Sequence, residues 1–228
     1  MKRLSVGVSG VDAMLSGGIP KGSVVGISGP PGVGKSIFAL QFVLEGARNG
    51  EKGVYITLEE PRRNIDNMIN AFDFAKEFKN FEDKGLIVVK CFNYSEYEKV
   101  NLDLLEKVYE DSTIKRLVID SFNCFFDSLE DKYVSDNQMN VRKLINSSFS
   151  YIRKEDLNVL LILEKNENNL INFDYNIPYL VDGLIKLDYL DLGIIERRIF
   201  IPKMRWTNQY KESKGYEINS KGIDVFGD

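Results

Sequence analysis

One segment near the start of the chain constrains its fold more than any other. Residues 29–36, Gly-Pro-Pro-Gly-Val-Gly-Lys-Ser, match the pattern G-x-x-x-x-G-K-[ST]. The apolar run 24–28 before it has the length and β-branched content of a buried strand, and residues 37–44 after it indicate a buried helix. A glycine-rich loop in that setting presents backbone N–H groups to an anion at the positive end of the helix dipole. The segment therefore predicts a site for the phosphates of a nucleoside triphosphate.

The residues of this loop have separate predicted roles. Its glycines allow backbone angles that other residues avoid, Lys35 reaches the β- and γ-phosphates, and the Ser36 hydroxyl can ligate Mg²⁺. ATP and Mg²⁺ are therefore the expected cofactors. The nucleotide-binding residues predicted in this segment are Gly29, Pro31, Gly32, Val33, Gly34, Lys35, Ser36 and Ile37.

Composition limits the chemistry that is available to the chain. Its 228 residues include no histidine, so imidazole acid–base catalysis and histidine-ligated metals are excluded. Carboxylates must therefore carry out any proton transfer. The net charge of −4 gives no overall attraction to nucleic acid.

The sequence also predicts where the protein works. Cys91 and Cys124 lack the spacing of metal ligands, and we expect them to be free thiols in a reducing compartment. No run of 18 apolar residues occurs, and residues 1–5 lack the apolar stretch of a signal peptide. We therefore expect a cytoplasmic protein that does not associate with a membrane.

Short apolar runs alternate with helical patterns along the chain. Helical spacing occurs at 37–48, 62–74, 102–110 and 141–154. The expected strands are 24–28, 54–58, 86–89, 117–119, 159–163, 184–187 and 199–201. This alternation predicts an α/β fold with a mainly parallel sheet and helices on both faces.

The end of the chain has a different pattern. The last two runs, together with 216–218 and 223–225, are joined by short polar segments, which predicts antiparallel strands at one edge of the sheet. We expect residues 1–228 to form a single domain. The polar segments 127–140 and 165–176 are the ones expected to be most mobile.

Two acidic positions follow predicted strands and complete the predicted site. Asp120 ends an apolar strand, which is typical of the Walker B aspartate that holds the Mg²⁺ shell. Glu59 and Glu60 follow the strand 54–58 at the same edge of the sheet. We interpret Glu59 as the general base that activates the attacking water, with Glu60 as its partner. Alternatively, one glutamate or both belong to the turn that begins the next helix.

Several segments together resemble the KaiC-like branch of the RecA/RadA ATPases. Residues 7–23 include a Gly-Gly-Ile-Pro turn before the first core strand, 59–60 is similar to the family's catalytic glutamate pair, and 180–185 is similar to a strand entry of that family. The most specific segment is 202–207, Pro-Lys-Met-Arg-Trp-Thr, which resembles the K-x-R-x-T element, and 215–225 resembles the closing strands. The resemblance implies a RecA-like P-loop NTPase fold and slow ATP hydrolysis.

The K-x-R-x-T element implies a shared site. In such proteins its lysine and arginine reach the γ-phosphate that the next subunit holds. The resemblance therefore implies Lys203 and Arg205 as catalytic residues, with Met204 and Thr207 beside them at the nucleotide. A head-to-tail contact of this kind closes as a ring, a hexamer in this family. From the residues alone, two solvated cations on an edge strand is the favoured interpretation.

The chain also departs from the family. Position 209 is glutamine, where the clock proteins carry histidine, and 164–167 is Glu-Lys-Asn-Glu instead of a turn containing Thr or Ser. The sensor function of that turn is therefore not expected to carry over unchanged. The chain has one module where the clock proteins have two, so autokinase activity is not expected.

The sequence is compatible with three functions. The first is an ATPase ring that acts as a regulatory switch or scaffold for an unknown protein partner. The second is a RadA- or RadB-like DNA-binding protein, but the segments 122–140 and 165–175 carry more acidic than basic residues, which makes nucleic acid an unexpected partner. The third is a nucleotide-binding regulatory subunit with little turnover.

Overall fold

The computed structural model describes residues 1–92, 108, 110–124, 146, 149–150, 152–153, 156–164, 177–191 and 195–227. The predicted helices 102–110 and 141–154 lie mostly outside the described residues, and the polar segments 127–140 and 165–176 lie wholly outside them. The described helices are α1 (Val11–Met14), α2 (Lys35–Arg48), α3 (Arg62–Asn70), α4 (Ala75–Asp83) and α5 (Ile177–Leu180).

Nine strands form one sheet, and two short strands pair separately. The short pair is β1 (Arg3–Leu4) with β2 (Ile19–Pro20). The strands of the large sheet are β3 (Val24–Gly29), β4 (Lys52–Thr57), β5 (Ile87–Cys91), β6 (Ile114–Asp120), β7 (Asn158–Glu164), β8 (Gly183–Asp191), β9 (Ile195–Met204), β10 (Lys214–Asn219) and β11 (Gly222–Val225). Their order in space is β11-β10-β9-β8-β3-β7-β6-β4-β5.

The two halves of the sheet differ in direction, as the sequence predicts. Strands β8, β3, β7, β6, β4 and β5 run parallel. Strands β9, β10 and β11 are antiparallel to their neighbours, and β8 and β9 form a hairpin. The predicted α/β architecture with antiparallel C-terminal strands is confirmed.

Apolar side chains cover both faces of the parallel half. On β6 and β7, Val118 and Leu160 belong to the cluster that packs against α2, whereas Leu117 and Leu161 belong to a second cluster on the opposite face. Successive strand residues point to opposite faces, so a strand with two buried faces must be apolar throughout. This is why the strand predictions follow continuous apolar runs.

The single helix predicted over 62–74 is wrong in its extent. The structure has two helices, α3 and α4, separated by a turn at residues 71–74. The turn is fixed from a distant part of the chain, because the backbone N–H of Asp73 donates to Ser220 O at 2.8 Å and the Ser220 hydroxyl donates to Asp73 Oδ2 at 2.6 Å. Helical periodicity cannot reveal a contact of this kind.

A buried arginine fixes β6 against α2. Arg116 is 0% exposed, and its guanidinium donates to Glu51 Oε2 at 2.8 Å, to Ser5 O at 2.8 Å and to Phe42 O at 2.9 Å. It also lies 4.7 Å from the centre of the Phe42 ring. Strand β6 ends at Asp120 and α2 begins at Lys35. The contact between Arg116 and α2 therefore helps to fix the position of Asp120 relative to Lys35.

Candidate functional site

The predicted phosphate loop connects β3 to α2 at the carboxyl end of the parallel strands. Gly32 and Gly34 have φ values of 74° and 107°, which side chains rarely adopt. A Cβ on Gly34 would also lie 2.9 Å from Ile218 Cδ1. Both the backbone angle and the lack of space therefore disfavour a larger residue at position 34. Because the first N–H groups of α2 have no partners inside the helix, they are available to an anion.

Lys35 lies across this loop. Its side chain is 9% exposed, and its ammonium donates to Gly29 O at 3.0 Å and to Pro30 O at 3.1 Å. The ammonium is therefore already held where the loop curves around the predicted phosphate position. A phosphate oxygen bound there would meet a fixed positive charge.

Two tyrosines from the antiparallel half support the loop. The Tyr216 hydroxyl, on β10, donates to Val33 O at 2.6 Å, and the Tyr189 hydroxyl, on β8, donates to Pro31 O at 3.3 Å. Burial raises the pKa of Tyr216, so its hydroxyl keeps the proton that it donates. Neither tyrosine is predicted from the sequence, because no local motif marks a strand tyrosine as the support of a loop far away in the chain.

Asp120 lies beside Ser36 at the end of β6, where the sequence analysis places the metal site. The carboxylate is 5% exposed and accepts a hydrogen bond of 2.5 Å from the Tyr55 hydroxyl. Burial raises the pKa of Asp120, whereas hydrogen bonds from the Tyr55 and Ser36 hydroxyls oppose that rise. Serine and aspartate oxygens fit a Mg²⁺ ion that takes its remaining ligands from water and phosphate.

No group of three carboxylate or thiol side chains in the described part of the chain is arranged to hold a metal ion. Mg²⁺ at Ser36 and Asp120 would therefore depend on nucleotide oxygens for the rest of its shell. This is the usual arrangement for Mg²⁺ at a triphosphate, because the ion sheds its waters reluctantly.

The structure separates the two glutamates that follow β4. Glu59 turns toward the end of β6, where its Oε1 accepts hydrogen bonds from the Ser121 hydroxyl at 2.7 Å and the Cys124 thiol at 3.1 Å. Glu60 turns away, and its Oε2 accepts from the Asn64 side chain of α3 at 2.7 Å. Glu59 therefore lies on the side of Asp120, and Glu60 belongs to the turn before α3.

A further carboxylate, Glu164, lies at the same edge. It ends β7 directly beside Gly29 of β3, and its backbone N–H donates to Asn123 Oδ1 at 3.0 Å. Burial raises the pKa of Glu164, and the negative charges of Glu59 and Asp120 add to the rise. This is the position at which the sequence departs from the Thr- or Ser-containing turn. The departure therefore places a third acidic group near the predicted phosphates.

Lys203 and Arg205 lie at the opposite end of the sheet, where the parallel strands begin. This end is called the opposite edge below. Met204 pairs with Gly183, which pairs with Val25 near the start of β3. Four residues of strand separate Val25 from Gly29, which corresponds to about 13 Å along the strand. Neither side chain can therefore reach the phosphate loop of its own chain.

The two cations are held in place by main-chain and carboxylate oxygens. The Lys203 ammonium donates to Val181 O at 2.6 Å, to Pro178 O at 3.0 Å and to Tyr179 O at 3.3 Å. Arg205 donates to Asp182 Oδ1 at 3.0 Å and to Tyr179 O at 3.3 Å. Lys203 is half-buried on a strand between two others, so the interpretation as two solvated cations on an edge strand does not describe it.

The other residues implied by the K-x-R-x-T element surround these cations. Met204 is buried, whereas Thr207 accepts a hydrogen bond from Arg3 at 3.0 Å and donates one to Arg205 O at 3.2 Å. Burial and the charge of Arg205 lower the pKa of Lys203. The predicted site residues thus form two groups, one at each end of the sheet.

A glycine-rich loop between β3 and α2, an aspartate at the end of a neighbouring parallel strand and antiparallel closing strands define a RecA-like P-loop ATPase fold. A model of the KaiC ATPase family matches residues 4–228. The chain belongs to this family.

Relatives and solved structures agree with this assignment. A UPF0273 protein of Pyrococcus horikoshii is 30% identical over all of this chain and 95% of its own length. The circadian clock oscillator protein KaiC of Rippkaea orientalis is 27% identical over 98% of this chain but only 42% of its own length. The crystal structure of a KaiC-like protein from Pyrococcus horikoshii superposes with a TM-score of 0.81 at 28% identity, covering 99% of both chains.

Among the described residues, no helix is both long enough and apolar enough to cross a membrane.

Proposed function

We propose that this chain binds ATP and Mg²⁺ at residues 29–36, hydrolyses the γ-phosphate slowly, and assembles head to tail into a ring of six copies. Each nucleotide would lie between the phosphate loop of one copy and Lys203 and Arg205 of the next. The ring would act in the cytoplasm as a nucleotide-controlled switch or scaffold for a protein partner.

The phosphate-loop edge would supply binding and water activation. Ser36 and Asp120 would hold Mg²⁺, which neutralises phosphate charge when it is bound. Lys35 would leave the carbonyls of Gly29 and Pro30 for phosphate oxygens, and Glu59 would accept the proton of the attacking water. Hydrogen bonds from Ser121 and Cys124 fix Glu59 Oε1, which leaves Oε2 for that water.

The opposite edge would supply charge to the transition state. Phosphoryl transfer spreads negative charge over the equatorial oxygens, and a planar guanidinium stabilises that charge. Arg205 is held by Asp182 and Tyr179 O, so it is ordered before any partner arrives. Hydrolysis would then depend on assembly, so the nucleotide bound to each copy would report whether the ring has formed.

One observation carries this proposal: the two groups of predicted site residues lie at opposite ends of β3. A fold that separates them by about 13 Å along the strands, with Lys203 and Arg205 bound to residues 181–182, cannot use both on one nucleotide within a single chain, whereas a head-to-tail neighbour can.

The test combines two variants that fail for different reasons. Arg205→Ala and Glu59→Gln should each be inactive alone, because one loses the trans cation and the other the base. Mixed rings contain interfaces with Glu59 from one copy and Arg205 from the next, so mixing should restore part of the ATPase rate. If native mass spectrometry shows mixed rings and the rate is not restored, the shared-site proposal is wrong.

A dilution series of the unmodified chain, with and without single-stranded DNA, separates the other functions. The proposal expects the rate per chain to fall on dilution and to ignore DNA. Stimulation by DNA would favour the recombinase-like function. Tight ATP binding without turnover at any concentration would favour the regulatory subunit.

A further inference from the structure

Trp206 directly follows Arg205 and has no role in the proposed phosphate chemistry. It is the single tryptophan of the chain. Its side chain is 58% exposed, although tryptophan is among the side chains that gain most from burial. Its backbone also has a φ of 56°, in the left-handed region that favours glycine.

The backbone conformation is fixed by its neighbours. Arg3 donates to Trp206 O at 3.0 Å, and the same guanidinium donates to Thr207 Oγ1 at 3.0 Å. A large residue in a left-handed conformation costs stability, and it persists only where the surrounding structure holds it. Trp206 adopts this unfavourable backbone conformation, and yet the described residues leave most of its indole exposed to solvent. Strain of this kind is typical of functional positions.

A second exposed aromatic lies nearby. Tyr179 is 69% exposed, and its carbonyl accepts hydrogen bonds from both Lys203 and Arg205. Trp206 and Tyr179 therefore lie next to the two cations that are proposed to meet a neighbouring nucleotide. Tryptophan, tyrosine and arginine are the residues that most often anchor protein interfaces.

We propose that Trp206 is an anchor of the contact with a second copy of this chain, packing against the phosphate-loop edge of that copy. The inference rests on the proposed function, because it takes the head-to-tail contact as given and assigns the residue that holds it together. Trp206 would contribute affinity between copies, whereas Arg205 contributes rate.

Charge favours a second copy as the occupant. The edge that carries Trp206 also carries Arg3, Arg153, Lys203 and Arg205, with Asp182 bound between two of the arginines. The phosphate-loop edge carries Glu59, Asp120 and Glu164 around Lys35, and Arg198 at this edge is paired with Asp188. Opposite charge at opposite ends of one sheet suits head-to-tail association.

Nucleic acid is the competing occupant, because aromatic and basic side chains together also bind single strands. The cations at this edge are less suited to that role. Lys203 is bound by three carbonyls and Arg205 by a carboxylate, so both are held at one point instead of following a backbone of phosphates. The experiment therefore includes an oligonucleotide.

The single tryptophan makes the contact directly measurable. At high protein concentration with ATP and Mg²⁺, Trp206 emission of the unmodified chain should shift to the blue as the ring forms, and the shift should reverse on dilution. Sedimentation should show that Trp206→Phe keeps assembly. Trp206→Gly should raise the concentration for half-assembly by about 10-fold or more, as expected for an interface anchor.

Stability separates an interface role from a structural one. Glycine adopts the left-handed backbone freely, so Trp206→Gly should raise the Tm of the unassembled chain by about 2–4 °C. A purely structural role would lower both Tm and assembly. Trp206→Phe is the matched control, because it keeps an aromatic side chain on the same backbone, and it should assemble at the same concentration as the unmodified chain.

The failures can be told apart. If the unmodified chain does not assemble with ATP, the proposed function fails and this inference with it. If it assembles while Trp206 emission stays unchanged, or if Trp206→Gly assembles at the same concentration, this inference alone is wrong. Quenching of Trp206 by a single-stranded oligonucleotide without assembly would overturn it in favour of nucleic acid.

Discussion

The two ends of the sheet use positive charge differently. At the phosphate-loop edge, Lys35 is bound by Gly29 O and Pro30 O, two carbonyls of the loop that is predicted to receive the ligand. At the opposite edge, Lys203 and Arg205 are bound by the end of α5 and by Asp182, and no phosphate loop of the same chain lies within reach.

The two ends therefore differ in the groups that they could supply to a nucleotide site. The phosphate-loop edge has a loop, a metal-compatible pair of oxygens and the carboxylate that we propose as the base. The opposite edge has ordered cations and exposed aromatics, and within the described residues its cations contact only their own chain. Under the proposed function these are two halves of a shared site, and the following changes test that comparison.

Arg205→Ala against Arg153→Ala should give the largest difference. Both arginines pair with Asp182, so each variant loses a comparable ion pair and should lose similar stability. Only Arg205→Ala should also lose turnover, by about 10³–10⁵, while ATP affinity stays near normal. The measurements are Tm, ATP titration and single-turnover rate. Equal loss of turnover in both variants would mean that Arg205 has only a structural role.

Glu59→Gln against Glu60→Gln tests the assignment within the phosphate-loop edge. An amide can orient water but cannot accept its proton, so Glu59→Gln should keep ATP binding and lose turnover by about 10²–10⁴. Glu60 contacts Asn64 on the other side of the turn, and Glu60→Gln should hydrolyse ATP at a near-normal rate. The reverse result would mean that Glu60 is the base.

Lys35→Ala against Lys21→Ala compares cations at the two ends. Lys35 is the ammonium that the loop brings to the phosphates, and losing two charge-assisted hydrogen bonds should weaken ATP affinity by about 10²-fold or more. Lys21 forms a surface ion pair with Asp156, and its loss should leave affinity unchanged. Undiminished binding by Lys35→Ala in calorimetry would refute the phosphate-loop assignment.

Tyr55→Phe should have the smallest effect, seen only in the pH dependence. Asp120 must be ionised to hold Mg²⁺, and burial raises its pKa, so the ATPase rate should fall as the pH drops through that pKa. The Tyr55 hydroxyl opposes the rise. Removing it should raise the pKa of Asp120 further and move the acid limb of the pH–rate profile to higher pH, with the same plateau rate.

Tyr189→Phe is the control for this shift. Its hydroxyl supports Pro31 of the loop and does not contact Asp120, so its acid limb should stay in place. A shift of equal size in both variants would show that the limb reports loop stability instead of Asp120.

Local patterns were enough to predict the strand, loop and helix at the phosphate-loop edge. Eight consecutive residues encode the loop, and an apolar run that ends in Asp120 marks the neighbouring strand, so both are visible without any knowledge of contacts. The sheet was predictable for the same reason, because strands that are buried on both faces are apolar throughout. Lys203 and Arg205 were predicted as site residues only through the resemblance to a family, since two cations at i and i+2 are common on surfaces, and their role stays a prediction.

Contacts between distant parts of the chain were not predictable. Tyr216 and Val33 are separated by 183 residues, and Tyr189 and Pro31 by 158. The break between α3 and α4 depends on Ser220, 147 residues beyond Asp73. No periodicity in the sequence marks such pairs. The different orientations of Glu59 and Glu60 are likewise set by their partners Ser121 and Asn64.

The tyrosine support of the phosphate loop also has a consequence for synthesis of the chain. Residues 29–36 leave the ribosome long before Tyr189 and Tyr216 do. At about 5–20 residues per second, roughly 10–35 s pass between Val33 and the hydroxyl that supports it. During that interval a nascent chain carries the phosphate motif without the strands that hold the loop in shape. ATP would meet a fully supported loop only after β8 and β10 have been synthesised.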